Sequence, residues 1–82
     1  MRIGSTVYIR YKDHALFRNV DARSQRPIIQ EAVGWLDLET EDFVRVLLTR
    51  YRDPKIRDGP AETKATGLVI LRSTILEMRK IA

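Results

Sequence analysis

The sequence predicts a mostly-β domain built from paired antiparallel strands. Three observations carry that expectation. Val7, Ile9 and Tyr11 alternate with Thr6, Tyr8, Arg10 and Lys12, a period of two. β-branched and aromatic residues crowd residues 43–51, behind an acidic turn. Two stretches dense in turn and breaker signals, "NVDARSQRP" (19–27) and "RDPKIRDGPAET" (52–63), divide the chain into three blocks.

The bulk numbers bound the answer. Eighty-two residues make one domain, near the lower end of what buries a self-sufficient core. At 44% hydrophobic and 32% charged, the chain is too apolar for intrinsic disorder and too interrupted for a membrane span. Its start, "MRIGSTVYIRYKD", has no apolar core of signal-peptide length, so a cytoplasmic protein without a membrane partner is expected. Cysteine is absent, which removes disulfides, thiolate chemistry and sulfur-ligated metals together. Arginines number 11 against four lysines, with only Asn19, Gln25 and Gln30 as amides, a balance in keeping with a thermophilic source.

The first block, "STVYIRYKDHALFRN", reads as a strand near 3–11, a turn at "KDH", and a returning strand near 14–19. In the second block, "AVGWLDL" is too short and too glycine-broken for a helix, which gives a strand near 30–38. Residues 43–51 allow two readings. Thr40 suits a helix cap, and Phe43, Val46, Leu47 and Tyr51 share a helical face. Against that, Phe43, Val44, Val46, Thr49 and Tyr51 are strand-favouring types. A hairpin turning at Thr40-Glu41 sets Leu38 opposite Phe43 and Trp35 opposite Val46. Val33, Trp35, Val44, Val46 and Leu48 then share one apolar face. A slip of one residue exchanges the faces. The third block stays open: Leu68, Leu71, Ile75, Met78 and Ala82 make a helical seam, whereas "GLVIL", the turn "RST" and "ILEMRKI" make two strands near 66–72 and 75–81.

The succession "YIRYKDH", "EAVGWLDLETEDFVRVLL" and "GLVILRSTILEMRKI" resembles a family of uncharacterised small bacterial and phage proteins. Their pattern is an early strand ending in Asp, a "GWL" strand, an acidic turn, a Val-rich strand, then a Gly and a final Ile-x-x-x-x-x-Ile run. More loosely, "GLVILRSTI" is similar to the second motif of Sm-like proteins. The chain departs from that motif with Ser73 where Gly is usual, and it lacks a counterpart of the Asp/Asn-bearing loop of the first Sm motif. No uridine-binding residues carry over. Both resemblances imply a small SH3/Sm-like barrel of five to six antiparallel strands, and they favour the strand readings of the second and third blocks.

Catalysis finds little footing. A nucleophilic triad needs a histidine base, and His14, in the turn "KDHA", is the only histidine. Ser5, Ser24 and Ser73 have no identifiable activating partner. Asp37, Glu39, Glu41 and Asp42 offer oxygen to a hard cation, but without the loop spacing and central Gly of an EF-hand they read as a solvated turn. Gly4, Gly34, Gly59 and Gly67 are isolated, so no phosphate-cradling loop is expected. The sequence therefore predicts neither enzyme activity, nor a cofactor, nor a metal.

Charge points to binding instead. The net charge of +4 is uneven: residues 1–30 carry six bases and two acids, 31–43 carry five acids and no base, and 44–82 carry nine bases and four acids. Small barrels bind single-stranded RNA or DNA by stacking bases on aromatic rings beside Lys and Arg. Tyr8, Arg10 and Lys12 alternate on one strand face, Arg18 follows on the expected partner strand, and Arg50 and Arg52 flank Tyr51 at a strand end. These six residues form the expected nucleic-acid surface. The competing expectation is a protein-interaction or self-assembling module. Leu36, Leu47 and Leu76 exceed what one small core buries, and the acidic turn of one copy complements the basic strands of another.

Overall fold

The structure, a computed structural model, describes residues 1–16, 18–50 and 65–81. Five strands form one antiparallel sheet: β1 (Thr6–Asp13), β2 (Ile28–Glu39), β3 (Phe43–Arg50), β4 (Ala65–Leu71) and β5 (Ile75–Lys80). Their spatial order is β4-β3-β2-β1-β5. Both ambiguous blocks are strands, so the helical readings fail. Among the described residues no ladder joins β4 to β5, and the sheet is open. A single 3-10 turn, Arg72–Thr74, carries the chain from one edge of the sheet to the other.

β1 follows its alternation. Val7, Ile9 and Tyr11 are buried, while Tyr8, Arg10 and Lys12 point the other way. The strand expected near 14–19 is not there: the described residues of that stretch lie outside any strand, and β1 pairs with β2 and β5 instead. The short return lost to longer partners. β2 offers twelve residues, eight of them in register with β1 from Thr6–Trp35 to Asp13–Ile28.

The expected hairpin exists, but its register is corrected: by two residues beside the turn, where Leu38 meets Arg45 rather than Phe43, and by one beyond the bulge, where Trp35 meets Leu47 rather than Val46. Glu39 pairs with Val44 and Leu38 with Arg45; a bulge follows at Asp37, and Leu36 then pairs with Val46. The Thr40 hydroxyl fixes this turn by accepting from the amides of Asp42 (3.1 Å) and Phe43 (3.0 Å). Without the bulge, Asp37 would sit opposite Val46 in the core. With it, Asp37 faces outward and Leu36 enters at 1% exposure. The core face of β2 is therefore Ala32, Gly34 and Leu36, not Val33 and Trp35, and Leu48 of β3 also lies exposed.

The core is small: Val7, Ile9, Tyr11, Ala32, Leu36, Val44, Val46 and Ile70, with Leu68, Ile75 and Met78 packed against it. Its compactness depends on backbone approaching backbone. A methyl on Gly34 would overlap the Leu47 carbonyl and lie 2.6 Å from Val46 Cγ1, and one on Gly67 would overlap the Val46 carbonyl. Two glycines thus flank β3 at positions where its backbone leaves no room for a side chain on β2 or β4.

The acidic turn is held within the molecule. Arg72 Nε donates to the Thr40 carbonyl at 2.7 Å, its guanidinium reaches Glu39 Oε2 at 2.6 Å, and its amide donates to the Asp42 carbonyl at 2.9 Å. Asp37 pairs with Arg45. The carboxylates expected to meet a second copy thus have partners in their own chain at these two positions.

Candidate nucleic-acid interface

The outward side of the sheet over β2, β1 and β5 collects most of the expected residues. β1 supplies Tyr8, Arg10 and Lys12. Across from them β2 places Val33, Glu31 and Ile29, and β5 places Arg79 opposite Tyr8 and Glu77 opposite Arg10. Trp35, opposite Thr6, shares this side and is the diagonal neighbour of Tyr8.

Two aromatic rings here each carry an arginine. The Arg50 guanidinium lies 4.2 Å from the Trp35 ring centroid, and that of Arg79 lies 4.6 Å from the Tyr8 centroid. Tyr8 is held by its hydroxyl, which donates to Glu31 Oε2 at 2.7 Å. That hydrogen bond, with desolvation and the negative charges of Glu31 and Glu77, raises the phenol above its ordinary pKa. Glu77 serves two cations at once: Arg10 at 3.8 Å and Arg79 at 3.2 Å. The result is a surface of two aromatic rings, each with a guanidinium over it, with exposed ion pairs from Glu77 to Arg10 and Arg79.

Of the six expected residues, Tyr8, Arg10, Lys12 and Arg50 are brought to this side. Arg18 is not: it is exposed in the connection between β1 and β2, because its supposed strand does not form. Arg52 lies outside the described residues, as do Tyr51 and the stretch 52–63 expected to be a loop.

Two residues were missed. Trp35 was assigned to the core by the one-residue register error; the Thr-x-Asp-Phe spacing after "LDLE", which lets Thr40 bond the amides two and three residues on, is the signal that would have corrected it. Arg79 reaches Tyr8 only through the pairing of β5 with β1, about seventy residues apart in sequence and without local signature.

His14 is exposed, its amide donating to Asp13 Oδ1. Among the described residues no three His, Asp or Glu side chains converge as a metal site, and no helix is long and apolar enough to cross a membrane. Comparison with known proteins finds no matching family model, no matching curated protein and no matching solved structure.

Proposed function

We propose that this chain is a non-enzymatic binding module that engages single-stranded nucleic acid on the outward side of β2, β1 and β5. The observation that carries the reading is the neighbouring pair of stacks, Arg50 on Trp35 and Arg79 on Tyr8. Both arginines are exposed, and a base stacks on a guanidinium or on the ring beneath it while the charge meets a phosphate. Diagonal neighbours across an antiparallel pair lie roughly 7–8 Å apart, room for two bases side by side. Arg10 and Lys12 continue the row of positive charge along β1.

The fold class that best fits this module is an SH3/Sm-like barrel. Supporting it are the strand order, the 3-10 turn between the edge strands, and a cleft of about 150 Å³ where Val69, Ile70 and Leu71 face Tyr11 to His14. The cleft lies between the edge strand β4 and the end of β1, next to the turn that holds Thr74.

The test is fluorescence anisotropy with labelled oligouridylate and oligothymidylate over a salt series. Three or four phosphate contacts give a log–log slope of about −2 to −3 for a single strand. Binding no tighter than that of a neutral control protein, or a slope near zero, overturns the reading.

A second reading, a protein-interaction module, is favoured by exposed apolar side chains. Val33, Val69, Leu71 and Leu76 are 53%, 63%, 54% and 44% exposed.

A further inference from the structure

The two edges of the sheet are unlike. β5 is a guarded edge: its six residues include Glu77, Arg79 and Lys80, and its pairing with β1 is interrupted by a bulge between Arg10 and Tyr11. Charges and bulges of this kind discourage a further strand from adding. β4, "ATGLVIL", has neither charge nor proline over seven residues. It leaves Val69 and Leu71 largely exposed, and among the described residues nothing pairs with its outer edge. An uncharged edge with open backbone donors and acceptors is a template for another strand.

We infer that β4 is the interface for a second copy of this chain, joined antiparallel across a two-fold axis. The occupant follows from the sequence of the strand itself. Placing the axis at Leu68 sets Val69 against Gly67 of the second copy and Leu71 against Ala65 of the second copy, each contact occurring twice. The two bulky exposed side chains on the outward side thus meet the two smallest residues of the strand. On the other side Leu68 meets its own counterpart, and Thr66 meets Ile70 of the second copy. Within the seven paired residues no like charges come face to face, because β4 carries none, and Arg72, which follows it directly, is already paired with Glu39. A strand matched to itself in this way closes as a dimer rather than growing into a filament.

One seven-residue edge buries less than the roughly 1,200 Å² of a standard stable interface, so the dimer is a weak one, with Kd of micromolar rather than nanomolar order. It is independent of the nucleic-acid reading, and its assay contains no nucleic acid.

Sedimentation velocity from low micromolar to about 1 mM protein tests the inference, that range bracketing the expected affinity. The native chain is expected to pass from one to two chain masses. Val69→Lys, which charges the β4 edge at a residue already 63% exposed, is expected to stay at one mass throughout while keeping the native circular dichroism. Leu76→Lys, on the guarded β5 edge, is expected to dimerise like the native chain. A native chain that remains single at about 1 mM overturns the inference. So does a Val69→Lys dimer, a Leu76→Lys chain that no longer dimerises, or growth beyond two chains. Amide exchange of the native protein provides a measurement without substitution. Protection within 65–71 must rise with concentration; exchange there that ignores concentration refutes the pairing.

Discussion

Replacing Glu77 with glutamine is expected to tighten nucleic-acid binding. In the free protein Glu77 holds Arg10 at 3.8 Å and Arg79 at 3.2 Å, so an incoming phosphate has to displace a carboxylate from both. The outward side carries Arg10, Lys12, Arg50 and Arg79 against Glu31 and Glu77, a net charge of about +2 that the substitution raises to about +3. Each exposed pair released is worth about 0.2–1 kcal/mol at moderate ionic strength. Two pairs give roughly a two- to thirtyfold gain in affinity, at a stability cost of under about 1 kcal/mol per pair. One or two further phosphate contacts steepen the salt dependence by about 0.7 to 1.4 in log–log slope. Anisotropy titrations of native and Glu77→Gln protein across a salt series, with thermal midpoints as a folding control, measure all three quantities. Unchanged or weaker binding with an unchanged slope refutes the reasoning, because phosphates then do not compete for these two guanidiniums.

Other outcomes follow from the same geometry. Trp35→Leu and Tyr8→Ala are each expected to weaken oligonucleotide binding by about tenfold through loss of a stacking platform, whereas Arg18→Ala leaves it unchanged; anisotropy under one salt condition separates them. Gly34→Ala and Gly67→Ala are each expected to destabilise the fold by about 1–3 kcal/mol, because the new methyl meets backbone carbonyls that cannot move aside cheaply; urea midpoints report the loss. Tyr8 and Tyr11 both titrate above the ordinary phenol value of 10.0, Tyr8 chiefly through its hydrogen bond to Glu31 and Tyr11 through burial. A raised native pKa means that the folded chain binds these protons more tightly than the unfolded one. Their contribution is thus intact below pH 10 and lost as pH climbs through the native values. Phenolate absorbance should show two tyrosines titrating late, and stability should fall in that alkaline window; normal titration of both contradicts it.

How far the sequence could be read depended on the range of the interaction. The alternation in β1 is local and survives intact, because one side of the strand meets the core and every second residue must be apolar. The choice of strand over helix at Phe43 to Arg50 also followed from local chemistry, the β-branched and aromatic side chains. Register did not. It was decided by a turn one residue later than expected and by a bulge at Asp37, whose purpose becomes visible only once Val46 is known to face the core. The strand expected near residue 14 failed for a similar reason, since a nearby partner was outcompeted by a longer one beyond the first loop. Alternation and charge singled out four residues that lie together on the outward side, Tyr8, Arg10, Lys12 and Arg50, yet both aromatic–cation pairs needed tertiary pairing to be seen.

The grip of Arg72 on Glu39, Thr40 and Asp42 reaches further than the corner it occupies. β5 leaves that corner directly, with Ile75 following the turn, so anchoring the turn sets the direction in which β5 runs along β1. The placement of Arg79 above Tyr8 is inherited from it. A clasp made by one side chain on a distant hairpin therefore aims a cation on the opposite end of the strand, and drift at this position in the sequence would blur the proposed surface while leaving every residue on that surface unchanged.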